Sequence, residues 1–132
     1  MQNRIVIRYQ DGRKLKGFTG DFIAGKEFFH ITETVTPSDK PVEVRVSELK
    51  AVFFVKDLAG NAAYEEQKAF DPSKPVAGRK IYVRFNDGEQ IVGFTQGYQP
   101  GRAGFFIVPA DPLSNNDRIY VVCSAAEEIK FL

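Results

Sequence analysis

Shifted by 76 residues, the chain lies over itself. Arg8-Tyr9-Gln10-Asp11-Gly12 falls on Arg84-Phe85-Asn86-Asp87-Gly88, and Gly17-Phe18-Thr19 on Gly93-Phe94-Thr95. Phe29 and Ile31 fall on Phe105 and Ile107. After a one-residue insertion, Val42, Val44, Val46 and Ser47 fall on Ile119, Val121, Cys123 and Ser124, and Val52 and Phe54 on Ile129 and Phe131. Self-similarity at a fixed spacing means one structural unit used twice, so the fold is read once per copy. The expected organisation is a first unit over 1–58, a linker over 59–77 containing a possible short helix between Ala63 and Phe70, and a second unit over 78–132.

Within each copy the hydrophobic period is two. Ile5, Ile7 and Tyr9 alternate with Arg4, Val6 and Arg8, as Ile81, Val83 and Phe85 alternate with Lys80, Tyr82 and Arg84, which is the pattern of half-buried strands. Asp11-Gly12 and Asp87-Gly88 follow at once and supply the positive φ that a tight hairpin needs. Gly17 and Gly93 stand in the middle of the returning strands and read as bends that curl a small sheet. Third and fourth strands are expected near Phe28–Glu33 and Val42–Val46, and near Phe105–Val108 and Ile119–Cys123. Short helical turns capped by Ser47 and Ser124 come next, then closing strands over Ala51–Lys56 and Ile129–Leu132. Five short strands with a helical turn before the last predict an all-β fold of two tandem SH3-like or Sm-like five-stranded small barrels. The linker, with Pro72 and Pro75, is long for a connection inside a compact domain, and Tyr64 and Phe70 are its expected anchors.

Composition narrows the function. Twelve Phe, five Tyr and no Trp, with 43% hydrophobic residues, describe a globular chain suited to pleated sheet. A net charge of +1 provides no long-range field for a polyanion, so a charged partner would have to meet a local patch. One cysteine cannot form an intrachain disulfide, which points to a cytoplasmic setting, and no apolar stretch approaches the length of a membrane span. Catalysis needs a nucleophile beside a base, and the chain has one His and one Cys. His30 has outward parity between Phe29 and Ile31, and Cys123 falls on the inward Val46, which predicts a buried, inert thiol. Zinc spacing and a phosphate-cradling glycine loop are both missing from the sequence, so neither metal nor cofactor is expected.

The second copy carries a loop with no counterpart in the first, Gly104-Phe105-Phe106 through Pro109-Ala110-Asp111-Pro112 to Asn115-Asn116 and Arg118, preceded by Tyr98 and Arg102. Rigid loops rich in hydrogen-bonding groups commonly carry recognition on small scaffolds, although Asn and Asp equally stabilise a loop by bonding its own backbone. Tyr82, Phe94, Tyr98, Arg102, Phe106, Asn115, Asn116 and Arg118 are therefore the candidate binding residues. The alternative set is Arg4, Arg8 and Arg84, guanidinium groups suited to phosphate. Arg4 and Arg8 have the RxxxR spacing of PilZ-type cyclic-dinucleotide receptors, without the companion D/NxSxxG element.

The segment Leu49-Lys50-Ala51-Val52-Phe53-Phe54-Val55-Lys56-Asp57 and the Gly104 to Arg118 pattern resemble an uncharacterised bacterial family sometimes found beside PilZ-type signalling domains. The likeness spans almost the whole chain. It implies a bacterial cytoplasmic setting and no established activity. The functional expectation is a non-catalytic module that binds a protein or peptide as an adaptor in bacterial signalling or envelope regulation. Cyclic-dinucleotide or nucleic-acid binding through the surface arginines is the alternative.

Overall fold

The structure, a computed structural model, describes residues 2–33, 40–60, 64–66, 70 and 78–132. The described residues form ten antiparallel strands and two short 3₁₀ turns. The first half contains β1 (Asn3–Tyr9), β2 (Lys14–Thr19), β3 (Phe28–Ile31), β4 (Val42–Arg45) and β5 (Leu49–Val55). The second contains β6 (Arg79–Phe85), β7 (Gln90–Thr95), β8 (Gly104–Pro109), β9 (Asn116–Val122) and β10 (Ala126–Phe131). Most of the helical turns expected between Ala63 and Phe70 fall outside the described residues.

Local details recur at the sequence spacing. Gly12 and Gly88 close the two Asp-Gly turns at φ +97° and +93°. Ile5 pairs with Gly17 and Ile81 with Gly93 in the two leading hairpins. Thr19 Oγ1 donates to the His30 carbonyl at 2.7 Å, and Thr95 Oγ1 to that of Phe106 at 2.8 Å. A 3₁₀ turn, Val46–Glu48 or Cys123–Ala125, precedes the last strand of each half. Neither turn is capped by its serine, contrary to expectation. Arg45 and Val122 hold the N-cap positions in extended backbone with no side-chain cap.

The barrels do not close. Strands pair in the order β10-β6-β7-β8-β9-β5-β1-β2 in one open eight-stranded sheet, with β3-β4 as a separate two-stranded sheet. Phe18 and Thr32 bridge β2 to the small sheet by reciprocal backbone bonds. The sheet stays open because β5, the last strand of the first half, pairs on one side with β1 and on the other with β9. A β5 hydrogen-bonded to β9 has no free edge on which β4 could close the first unit.

Packing explains that choice. All seven β5 residues are buried. Leu49, Val52 and Phe54 enter a core with Ile5, Ile7, Phe29 and Ile31, while Ala51, Phe53 and Val55 enter a second core with Ile81, Val83, Phe85 and Ile107. β9 divides in the same way, Tyr120 and Val122 to the first core and Ile119 and Val121 to the second. Each strand of the seam covers both cores, so separating the halves would expose apolar surface on both sides. The free strands differ. β4 carries exposed Glu43 and Arg45, and β10 exposed Glu127 and Lys130, charges that blunt an open edge.

Candidate functional site

The β1–β2 hairpin turns Ile5, Ile7 and Tyr9 into the core and so presents Arg4, Val6 and Arg8 outward, opposite Phe18, Lys16 and Lys14 respectively. Arg8 and Lys14 thus stand directly across from one another. Like charges directly opposite one another destabilise a sheet. Arg4, Arg8, Lys14 and Lys16 are all exposed, and none forms an ion pair within hydrogen-bonding reach among the described residues. Lys16 Nζ donates to the Leu58 carbonyl at 2.9 Å, fastening the start of the linker over the hairpin.

Between these elements lies a groove of about 200 Å³. Arg8, Lys14 and Lys16 line one wall, Leu58, Ala59 and Gly60 another, Val6, Phe53 and Val55 the apolar floor, and Asn115 and Asn116 one end. Glu89 also reaches the groove, but its carboxylate is held by the Lys50 ammonium. Asp87, beside it, is held below the usual carboxylate range by its hydrogen bond from Lys50, by the Glu89 backbone N–H, and by the charges of Lys50 and Arg8.

The structure does not gather the eight candidate binding residues into one site. Tyr98 packs on Phe105 and Phe131, with ring centroids 4.7 and 5.7 Å away, and so seals the second core. Phe106 joins Phe22, Phe54 and Tyr120 in an aromatic cluster at the first core, and the Arg118 guanidinium lies over Phe54 and Phe106 at 4.3 and 4.7 Å. Tyr82 and Phe94 share the outer face of the second half, Tyr82 beneath Lys130 and Phe94 edge-on to Phe70 at 4.9 Å. Arg102 stands apart, at a cavity on the seam between the halves. Of the alternative set, Arg84 is neutralised by Glu127 and Glu128, while Arg4 and Arg8 remain available.

The loop before Arg118 is bound to the linker. Asn115 accepts the Asp57 N–H at 3.1 Å and donates to the Asp57 carbonyl at 2.9 Å, and Lys56 Nζ donates to the Pro112 carbonyl at 3.0 Å. Tyr64 donates its hydroxyl to buried Asp111, a bond that pushes the phenol up to about 12, and buried Ser114 donates to Glu66. Tyr64 and Phe70 therefore anchor the linker as expected. The Asn-rich segment is largely a clasp whose polar groups satisfy one another.

His30 projects outward, its Nδ1 2.7 Å from the Asp21 carboxylate. Burial raises the Asp21 pKa, but hydrogen bonds from the His30 backbone and ring and from Thr19 outweigh it and leave the group below its ordinary value. Cys123 is half-buried at the seam cavity, not fully buried, and desolvation pushes its thiol up. Among the described residues, no group of three or more His, Cys, Asp or Glu side chains is placed to hold a metal ion, and no helix is long and apolar enough to cross a membrane.

Sequence reasoning missed Lys14, Lys16 and Phe53. The signal was present: Lys14 and Lys16 flank inward Leu15, so an Asp-Gly hairpin places them opposite Arg8 and Val6. Compared with known proteins, residues 1–132 match a family described as a family of unknown function (DUF6982). No curated protein and no solved structure matches the chain.

Proposed function

Since the chain belongs to this family of unknown function, which lends no activity, we propose from the site itself that the protein is a non-catalytic binding module for an acidic peptide segment of a protein partner. The opposed Arg8–Lys14 pair carries the reading. A sheet keeps these two cations face to face at a cost that the Asp87 charge near Arg8 only partly offsets, and an incoming carboxylate between them would remove the rest. Val6, Phe53 and Val55 beneath the cations offer an apolar floor, and charge above a greasy floor suits a peptide that alternates acidic and apolar residues. A phosphate-bearing ligand is less well served. Arg84 is occupied by carboxylates, and Phe53, the one aromatic ring among the described residues lining the groove, is only 7% exposed and offers no face for base stacking.

The wider reading is that each half is an SH3-like or Sm-like unit opened by the seam, used in cytoplasmic bacterial signalling as an adaptor. The order β10-β6-β7-β8-β9 in the second half, and β5-β1-β2 with β3-β4 bridged through Phe18 and Thr32 in the first, supports it.

Fluorescence anisotropy with a labelled peptide of alternating Glu and Leu, and separately with a single-stranded oligonucleotide, tests the proposal. The peptide is expected to bind, and the Arg8→Glu/Lys14→Glu double variant to weaken it by at least about tenfold, or 1.4 kcal/mol. A native protein that ignores the peptide, or prefers the oligonucleotide, overturns the reading.

A further inference from the structure

A cavity on the seam, away from the hairpin groove, has a volume of about 520 Å³, within the roughly 300–1,000 Å³ typical of small-molecule sites. It is built from corresponding pieces of both halves. Gly25-Lys26-Glu27 on one side matches Gly101-Arg102-Ala103 on the other, and Val46-Ser47 matches Cys123-Ser124. Gly25 and Gly101 take φ +92° and +91°, so the backbone turns alike before each basic residue. The walls are tied down in the same manner, by Val46 N–H to the Glu27 carbonyl at 2.8 Å and Cys123 N–H to the Ala103 carbonyl at 2.9 Å. A cavity whose walls are hydrogen-bonded in advance loses little entropy when filled.

Its chemistry is two-sided. Buried Val46, Tyr120 and Val122 make an apolar floor with half-buried Cys123. Lys26 and Arg102 are exposed, and neither has a carboxylate partner among the described residues. Arg102 Nε is held by Gln99 Oε1 at 3.0 Å, which orients the guanidinium while leaving its terminal nitrogens as donors. Glu27, the one acid among the described residues of the lining, faces Arg45 at 3.9 Å. The Ser124 hydroxyl accepts from Gln10 Nε2 at 2.9 Å and keeps its own proton to donate. We propose that this seam cavity binds a small amphiphilic anion, its apolar body on Val46, Tyr120 and Val122 and its carboxylate or phosphate between Lys26 and Arg102. The two cations come from different halves, so an occupant would brace the β5–β9 seam from outside as well as fill a void.

Equilibrium dialysis of the full chain against decanoate, decyl phosphate and decanol, below micelle-forming concentrations, tests this. One equivalent of at least one of the two anions is expected to bind, with decanol about tenfold weaker. Lys26→Gln and Arg102→Gln should each weaken the anion about tenfold, the 1.4 kcal/mol of one decade. Both residues are exposed, and an unchanged melting temperature verifies that the variants fold. As a separate readout, the bound anion should slow modification of Cys123 by the uncharged reagent N-ethylmaleimide several-fold in the native protein and not in the double variant. The proposal is overturned if neither anion binds, if decanol binds as well as the anions, or if the double variant retains native affinity.

Discussion

Lys50 Nζ lies 2.7 Å from the Asp87 carboxylate, a bond reaching from β5 in the first half to the β6–β7 turn in the second. Lys50 is 6% exposed, also grips Glu89, and sits 4.8 Å above the Phe85 ring. A buried ammonium needs such partners, and these come from the other half of the chain. The ion cluster therefore ties the halves together beside the β5–β9 ladder.

Replacing Lys50 by Met should cost about 1.5–3 kcal/mol, the range for a hydrogen bond to a charged group. The loss should depend on pH. Asp87 has a folded pKa below its unfolded value of 3.8, so its contribution is present above that value and disappears as pH falls through the depressed folded one. Melting temperatures of native and Lys50→Met protein, followed from pH 7 to pH 2.5, should differ most near neutrality and converge in acid. Parallel curves across the whole range would show that Lys50 acts through packing alone.

Gly17 and Gly93 are expected to reject alanine. A Cβ at Gly17 would lie 2.4 Å from the Thr32 carbonyl oxygen, and one at Gly93 would lie 2.2 Å from that of Val108. Both obstacles are backbone, and the reciprocal bonds between Phe18 and Thr32 cannot survive the displacement that relieves the first. Each Gly→Ala change should cost about 1–3 kcal/mol or more in urea unfolding, the usual range for overpacking. Gly97→Ala, with open space around it and no positive φ, is the control expected to be nearly neutral.

Asn115 and Asn116 should behave differently despite being neighbours. Asn115→Ala removes two bonds to Asp57 and should lower stability by about 1–3 kcal/mol, at roughly 0.5–1.5 for each bond. Asn116 enters the clasp through its backbone N–H to Ser114 Oγ, which alanine preserves, so Asn116→Ala should stay within about 0.5 kcal/mol. Equal effects in thermal unfolding would mean that the clasp does not depend on the Asn115 amide.

The sequence by itself determined the strands and their inward faces, because the pleat's two-residue period and the positive φ of the Asp-Gly turns are local properties of the chain. It also put glycine at positions 17 and 93, where no side chain fits, although the strand pairing runs through both without the bulge expected there. Which edge meets which was decided by tertiary structure. β5 and β9 join because their second faces are apolar too, Ala51, Phe53 and Val55 against Ile119 and Val121, whereas Glu128 and Lys130, which occupy the places of Ala51 and Phe53 in β10, keep that strand at the edge. That asymmetry is written in the two copies, but its meaning depends on a partner strand about 65 residues away, beyond the reach of any local period. Tertiary packing also placed Tyr98, Phe106 and Arg118 against the cores and Asn115 in the clasp, and kept Tyr82 and Phe94 on the outer face of the second half. It left Arg8, Lys14, Lys26 and Arg102 as the cations facing open grooves.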